Sequence, residues 1–346
     1  MERKLTAAVL FDTKEPLKIC ELEIPKLKEG QVLVKIFYSG VCRSQLMEAR
    51  GGRGKDPWLP HLLGHEASGE VIEIGPNVNK VKISDKVILG WIKSDGLEAE
   101  GAKYIYNDQI VNSGKVTTFS NYSIVSENRL VIIPDKIPLD IAVLFGCALL
   151  TGAGMVLNEL KPNSQMTIIV IGLGGIGLSS LMALKYLNCK KIIAIDISDE
   201  KLELAKLFGA THTFNSRDTN LFQKIKDLTI VGADACIESG GKTETIELGF
   251  ALIGKKGKLI FASHPPEGEK ISIAPHELIA GKQIFGSWGG GCNPDSDVLK
   301  LAEIYLKSSI PLDKLIVKRY TLDQINLALD DLDSGKVFRP LICMNH

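Results

Sequence analysis

The run Gly172-Leu173-Gly174-Gly175-Ile176-Gly177 has the spacing G-x-G-x-x-G. Its chemistry is phosphate binding. The first glycine permits a tight turn, the bare second lets a pyrophosphate approach the backbone, and the third lets helix and strand pack closely. Backbone N–H groups at the start of a following helix, around Gly175 and Ile176, then face the phosphates. Asp196 stands 196 − 177 = 19 residues after the last glycine. A carboxylate there hydrogen-bonds an adenosine ribose diol. It would also repel a 2′-phosphate, and the next residues, Ile197, Ser198 and Asp199, include no arginine to offset that. The pattern favours NAD over NADP. The alternative is an ordinary strand-to-helix turn with a solvent-facing aspartate.

A second set of residues could hold a metal: Cys42, His65, Glu66 and Cys147. Imidazole and thiolate are the preferred zinc ligands, and a catalytic zinc site keeps one position open for water or substrate. These residues lie far apart along the chain, so spacing alone does not join them. A cysteine taken singly is more often a small core residue. The chain has 7 cysteines, an odd number, with no C-x-x-C pair. That suits metal binding or core packing better than a disulfide framework.

Elements must position these groups. Residues 31–36, 70–75 and 85–90 read as short strands, and the first third as a rolled antiparallel domain. From about residue 150 strands and helices alternate. Strands are expected at 166–171, 191–195, 233–238 and 258–262, with helices at 176–187, 199–208 and 243–252. Gly209 follows the second helix as its stop. Alternation of this kind argues for a parallel sheet of βαβ units. Two further helices, near 296–307 and 321–333, precede a last strand at 341–343, and this tail is expected to pack back onto the first domain.

At 346 residues the chain is long enough for about two domains. Lys+Arg 41 against Asp+Glu 41 gives no net charge, which argues against a nucleic-acid surface or a polybasic membrane patch. Hydrophobic residues at 45 % and charged residues at 24 % are the ordinary mix of a globular protein, so disorder is not expected. The apolar run from Ala7 to Phe11 is too short for a signal-peptide core, and no stretch approaches the length of a membrane span. A cytoplasmic location is the expectation.

Gly40-Val41-Cys42, Gly64-His65-Glu66, residues 146–154 (GCALLTGAG), the glycine loop with Asp196, and residues 334–339 (SGKVFR) follow one another in a set order. In that order they resemble the zinc-dependent medium-chain alcohol dehydrogenase family, over essentially the whole chain. The resemblance implies an α/β protein with a GroES-like β-rich catalytic domain (1–148 and 285–346) and a Rossmann doubly wound parallel-sheet domain that binds NAD (149–284). The active site would lie between them. Cys42, His65 and Cys147 would hold zinc, with Glu66 as an exchangeable fourth ligand. Ser44 would hydrogen-bond the substrate hydroxyl and begin removal of its proton. Arg43 and Arg339 would hold the pyrophosphate, Thr151 would sit behind the nicotinamide, and Lys201 near the adenosine ribose. Zinc would act as a Lewis acid on the oxygen of an alcohol or carbonyl substrate, and NAD would take the hydride.

The chain also departs from the family. Many members carry a second, structural zinc on four close cysteines, but no Cys occurs between 42 and 147, so one zinc per subunit is expected. Gln45 stands where an acidic partner of the zinc-bound His is common, and Met47 where some members end a proton relay in His. Trp91 and His264 fall where a substrate pocket is expected, and Trp58 and Trp288 could border it. Aromatic groups beside a polar one suit a secondary, polyol-, cyclitol- or sugar-like alcohol better than ethanol. A homodimer or homotetramer is implied, joined at the sheet edge near 283–288. Two other readings stay open: a zinc-free, NADPH-linked quinone or enone reductase, and a non-catalytic NAD-binding protein.

Overall fold

A computed structural model describes residues 4–308 and 310–346. The chain divides into two compact units. The first takes the residues up to Cys147, Asn293–Ala302 and Leu312–His346; the second takes Ala148–Cys292 and Glu303–Pro311.

In the first unit two sheets share the strands. The larger runs Leu130–Ile132, Lys86–Gly90, Glu66–Ile74, Gln31–Gly40, Leu341–Cys343, Arg319–Thr321, with Tyr122–Ser126 also paired to Gln31–Gly40. The smaller runs Lys18–Leu22, Leu5–Leu10, His61–Leu62, Gln109–Asn112, Lys103–Tyr106. The tail does return to this unit: Ile342 pairs with Ser39 on one side and Tyr320 on the other. Val34, Leu89, Phe119 and Ile342 are buried in one core cluster. Each such aliphatic side chain contributes about 1.5–3 kcal/mol by leaving water.

The second unit is built on a six-stranded parallel sheet. Its order is His212–Asn215, Lys191–Asp196, Thr167–Ile171, Ala233–Glu238, Ile253–Phe261, Gln283–Gly286. Numbered along the chain this is 3-2-1-4-5-6, the doubly wound order in which ligands bind where the winding reverses, beyond the ends of strands 1 and 4. The run Ile168–Ile171 is apolar throughout because helices cover both faces of such a sheet. The helix Asp199–Phe208 starts on Ser198, whose hydroxyl accepts the Lys201 N–H, and stops at Gly209 with φ +113°.

Several boundaries differ from the sequence expectation, and Ala148 already belongs to the second unit. Residues 285–292 belong to the second unit, not to the catalytic domain. The reason is pairing: Gln283–Gly286 lies in register with Lys258–Phe261 as the sixth strand. Residues 303–311 likewise join the second unit. Among the described residues no single helix is long and apolar enough to cross a membrane.

Candidate metal centre and dinucleotide site

Three turns of the first unit deliver the candidate metal-binding side chains. Cys42 follows the strand Gln31–Gly40 and starts the short helix Arg43–Ala49. His65 lies in the turn between His61–Leu62 and Glu66–Ile74. Gly64 makes that turn possible: its φ is +89°, and a Cβ there would collide with Thr118 and Phe119. Cys147 follows the 3-10 turn Val143–Gly146. The donor atoms of Cys42, His65 and Cys147 all lie within 4.8 Å of one another.

The chemistry of this set fits zinc: two thiols and an imidazole nitrogen, with room for an open position. Orphaned polar atoms surround it. His65 Nε2, Ser44 Oγ, Glu66 Oε1 and Arg339 Nε are all buried without a hydrogen-bond partner. Leaving such groups unmade is costly, so they mark a place that a ligand completes. The Cys147 thiol, hydrogen-bonding Cys42, holds the Cys42 thiol well below its usual range against the opposing effect of burial, with Arg339 and His65 assisting. Cys147 is pushed up in turn by that same bond, burial and the Cys42 thiolate.

Gln45 braces the imidazole from behind. Its amide nitrogen lies 3.0 Å from His65 Nδ1, and its oxygen accepts the Gly64 N–H. The expected fourth ligand, Glu66, is not in the converging set. Its carboxylate is fully buried and pairs with the Arg339 guanidinium, itself buried. Burial pushes the Glu66 carboxyl up while Arg339 pulls it back. Burial also opposes the charge on Arg339, yet Glu66, Cys42 and Cys147 outweigh it and hold the guanidinium protonated. Arg339, expected on the pyrophosphate, is thus turned onto Glu66, whereas Arg43 is exposed on the first turn of its helix.

In the second unit the glycine loop joins the strand Thr167–Ile171 to the helix Gly175–Tyr186, where the winding reverses. Gly172 has φ +84°, and a Cβ on it would lie 2.6 Å from the Gly240 nitrogen. A Cβ on Gly177 would strike the Gly172 carbonyl at 1.9 Å, whereas one on Gly174 would meet nothing within 4 Å. That open space at a helix N-terminus is the cradle a pyrophosphate needs. Asp196 ends the neighbouring strand, buried, and accepts the Leu173 N–H at 2.6 Å and the Ser198 N–H at 3.0 Å. The carboxylate has acceptor capacity left for a ribose diol. Lys201 lies in the first turn of the next helix, and Thr151 is buried in Ala148–Gly154.

Residues 28–135 match the alcohol dehydrogenase GroES-like domain and residues 175–305 the zinc-binding dehydrogenase domain. The "Putative alcohol dehydrogenase D" of Mycobacterium tuberculosis is 30 % identical over 369 residues, covering 98 % of this chain and 99 % of that one. The chain belongs to the zinc-dependent medium-chain alcohol dehydrogenase family. Among solved structures, an alcohol dehydrogenase zinc-binding domain protein from Burkholderia ambifaria is 27 % identical with TM-score 0.91, covering 99 % of this chain and all (100 %) of that one. Benzyl alcohol dehydrogenase from Acinetobacter calcoaceticus is 29 % identical with TM-score 0.89 and the same coverage.

In this alcohol dehydrogenase family member a cleft of about 400 Å³ opens within the first unit beside His65. Gln45, Glu48, Trp58, His61 and His65 are among its walls. Neither Trp91 nor His264, the expected pocket residues, lines it. The Trp91 carbonyl accepts from Arg129, and His264 lies in the second unit, edge-on to Trp288 at 6.3 Å. Sequence reasoning passed over Glu48, Asp56 and His61, whose donor atoms also lie within 4.8 Å of one another. The available signal was Glu48 falling one helical turn after Ser44 on the same short helix.

A buried carboxyl in the second unit was missed too. Glu238 ends the strand Ala233–Glu238, and its Oε1 accepts the Gly240 and Gly241 N–H groups and the Thr245 hydroxyl. Burial pushes this carboxyl up. Glu238 so fixes the turn on which Gly172 rests.

Proposed function

We infer that the chain is an NAD-linked zinc alcohol dehydrogenase that interconverts a secondary, polyol-, cyclitol- or sugar-like alcohol and its ketone or aldehyde. The observation that carries this is the convergence of Cys42, His65 and Cys147 beside the orphaned Ser44 hydroxyl. Zinc bound there supplies a Lewis acid that polarises the substrate oxygen. Cys42, Cys147 and His65 Nε2 would hold it. Ser44 Oγ would accept a hydrogen bond from the substrate hydroxyl and, as that proton arrives, pass its own proton outward to solvent. A nicotinamide supplies the hydride acceptor, and the open cradle at Gly174 with Asp196 favours NAD as its carrier. The three converging donors Cys42, His65 and Cys147 stand against the zinc-free reductase and the non-catalytic reading.

One zinc per subunit is proposed, because residues 91–116 contain no cysteine. Self-association through the exposed sheet edge at Gln283–Gly286, as a homodimer or homotetramer, belongs to the same reading. The test is an NAD⁺-reduction screen over short alcohols, polyols, cyclitols and sugars, with metal content measured on the same sample. The expected result is metal-dependent turnover, one zinc per chain, and the highest kcat/KM on hydroxylated secondary alcohols. Full activity in a metal-free preparation overturns the zinc assignment, and a preference for short unbranched alcohols overturns the substrate class.

A further inference from the structure

We propose that the cleft beside His65 is a subsite for a neutral, ring-shaped polyol, in which Glu48 accepts a second substrate hydroxyl and Trp58 carries the ring face. This rests on the alcohol dehydrogenase reading above.

Position comes first. Gln45, Glu48 and His65 line one cleft, so a molecule filling it reaches His65, while Cys42, Cys147 and Ser44 are not among its walls. Ser44 and Glu48 are four residues apart on the helix Arg43–Ala49, hence on one face and about 6 Å apart along the axis. That is a few carbon atoms. A substrate whose reacting hydroxyl meets Ser44 Oγ can place another on the Glu48 carboxylate.

Charge decides what Glu48 wants. His61 Nε2 faces Asp56 at 2.7 Å, and Nδ1 donates to the Leu62 carbonyl at 2.9 Å. Both ring nitrogens are therefore committed, and His61 has no hydrogen bond left for Glu48. Arg53 approaches Glu48 only at 3.4 Å from an exposed position. Glu48 keeps free acceptor capacity beside a second carboxylate, Asp56. Such an oxygen takes the hydrogen of a hydroxyl group.

Shape decides the rest. Trp58 is 68 % exposed, yet its backbone is pinned: its N–H bonds Asp56 at 2.9 Å and its carbonyl accepts from Asn112 at 2.7 Å. An exposed indole on a pinned backbone, next to a carboxylate, matches a ring with apolar C–H faces and hydroxyls on its rim.

The experiment compares kcat/KM on myo-inositol and glucose with kcat/KM on cyclohexanol, in wild type, Glu48→Ala, Glu48→Gln and Trp58→Ala. Polyol quenching of tryptophan fluorescence is titrated alongside, with Trp58→Phe as reference. In Glu48→Ala the polyol-to-cyclohexanol ratio is expected to fall about 10- to 100-fold, the range for a hydrogen bond to a charged group. Glu48→Gln, which keeps one acceptor, is expected to recover part of it, and quenching is expected to vanish in Trp58→Phe. A ratio unmoved by both Glu48 variants, or turnover of cyclohexanol with no polyol accepted, overturns the subsite while leaving the dehydrogenase reading standing. If no alcohol reduces NAD⁺ the dehydrogenase reading falls, and the quenching titration still decides the subsite. Loss of a second zinc equivalent in Glu48→Ala would make Glu48, Asp56 and His61 a metal site and also overturn it.

Discussion

At the scale of single residues, Gln45 has two duties that pull against each other. Its oxygen accepts the Gly64 N–H while its nitrogen faces His65 Nδ1. For His65 Nε2 to offer a lone pair to a metal, the ring proton must sit on Nδ1, which then needs an acceptor. The amide must therefore turn its oxygen to the ring on loading, or share it. Gln45→Leu is expected to lower zinc affinity about 10- to 100-fold. Gln45→Glu, which presents only acceptors to both partners, is expected to bind zinc more tightly than wild type. Competition with a chromophoric chelator measures both, and equal affinities in all three proteins would show that Gln45 does not tune the site. The sequence shows the glycine loop and Asp196 because their chemistry is local. The metal set was not readable from spacing, since 65 − 42 = 23 and 147 − 65 = 82 residues separate its members. Only resemblance joined them. Glu66 and Arg339 were read as ligand and phosphate clamp, and their buried pairing is a contact that no local pattern encodes.

At the scale of elements, the cysteine-free lobe shows what ties its loops. Glu98 accepts Lys93 at 2.8 Å, Lys115 at 2.6 Å and Arg129 at 3.1 Å. The hydrogen bonds from Lys115 and Lys93 pull its carboxyl down to about 2. A depressed carboxyl contributes stability above its ordinary value, 4.5, and loses it as pH falls from there towards 2. Glu98→Gln is expected to melt lower than wild type at neutral pH, with the gap closing on acidification through that window. Melting temperature against pH for the two proteins measures this, and a gap independent of pH would dismiss the cluster as a tie. The helices Asp199–Phe208 and Thr243–Leu252 match the sequence expectation; Ser198 and Gly209 mark the ends of the first, whereas no side chain caps the second. The strand His212–Asn215 and the helix Leu221–Thr229 were not foreseen. The strand, HTFN, has one strongly apolar residue and lies at the sheet edge, while the helix buries only Leu221 and Ile225. Only the strand's pattern is weak; in the helix Leu221, Phe222, Ile225 and Leu228 recur at helical spacing, a signal the sequence does carry.

At the scale of the whole molecule, both units are assembled from separated pieces of chain. The larger sheet of the first unit depends on Leu341–Cys343, which pairs with the strand that leads into Cys42 and lies just beyond Arg339. Ile342 is 0 % exposed. Ile342→Ala is expected to cost about 2–5 kcal/mol of stability, the range for truncating a core aliphatic residue. It is also expected to speed chelator-driven loss of zinc. Denaturant midpoints and the rate of metal release measure this, and unchanged release would show that the metal turns do not depend on this strand.

That late strand also sets an order of assembly during synthesis. Residues 148–292, which hold the whole six-stranded sheet, leave the ribosome before Arg339 and Leu341–Cys343 exist. The nascent dinucleotide unit can close while the larger sheet of the first unit still lacks a central strand. Until that strand is made, residues 38–40 of the strand that leads into Cys42 lack their partner on that side.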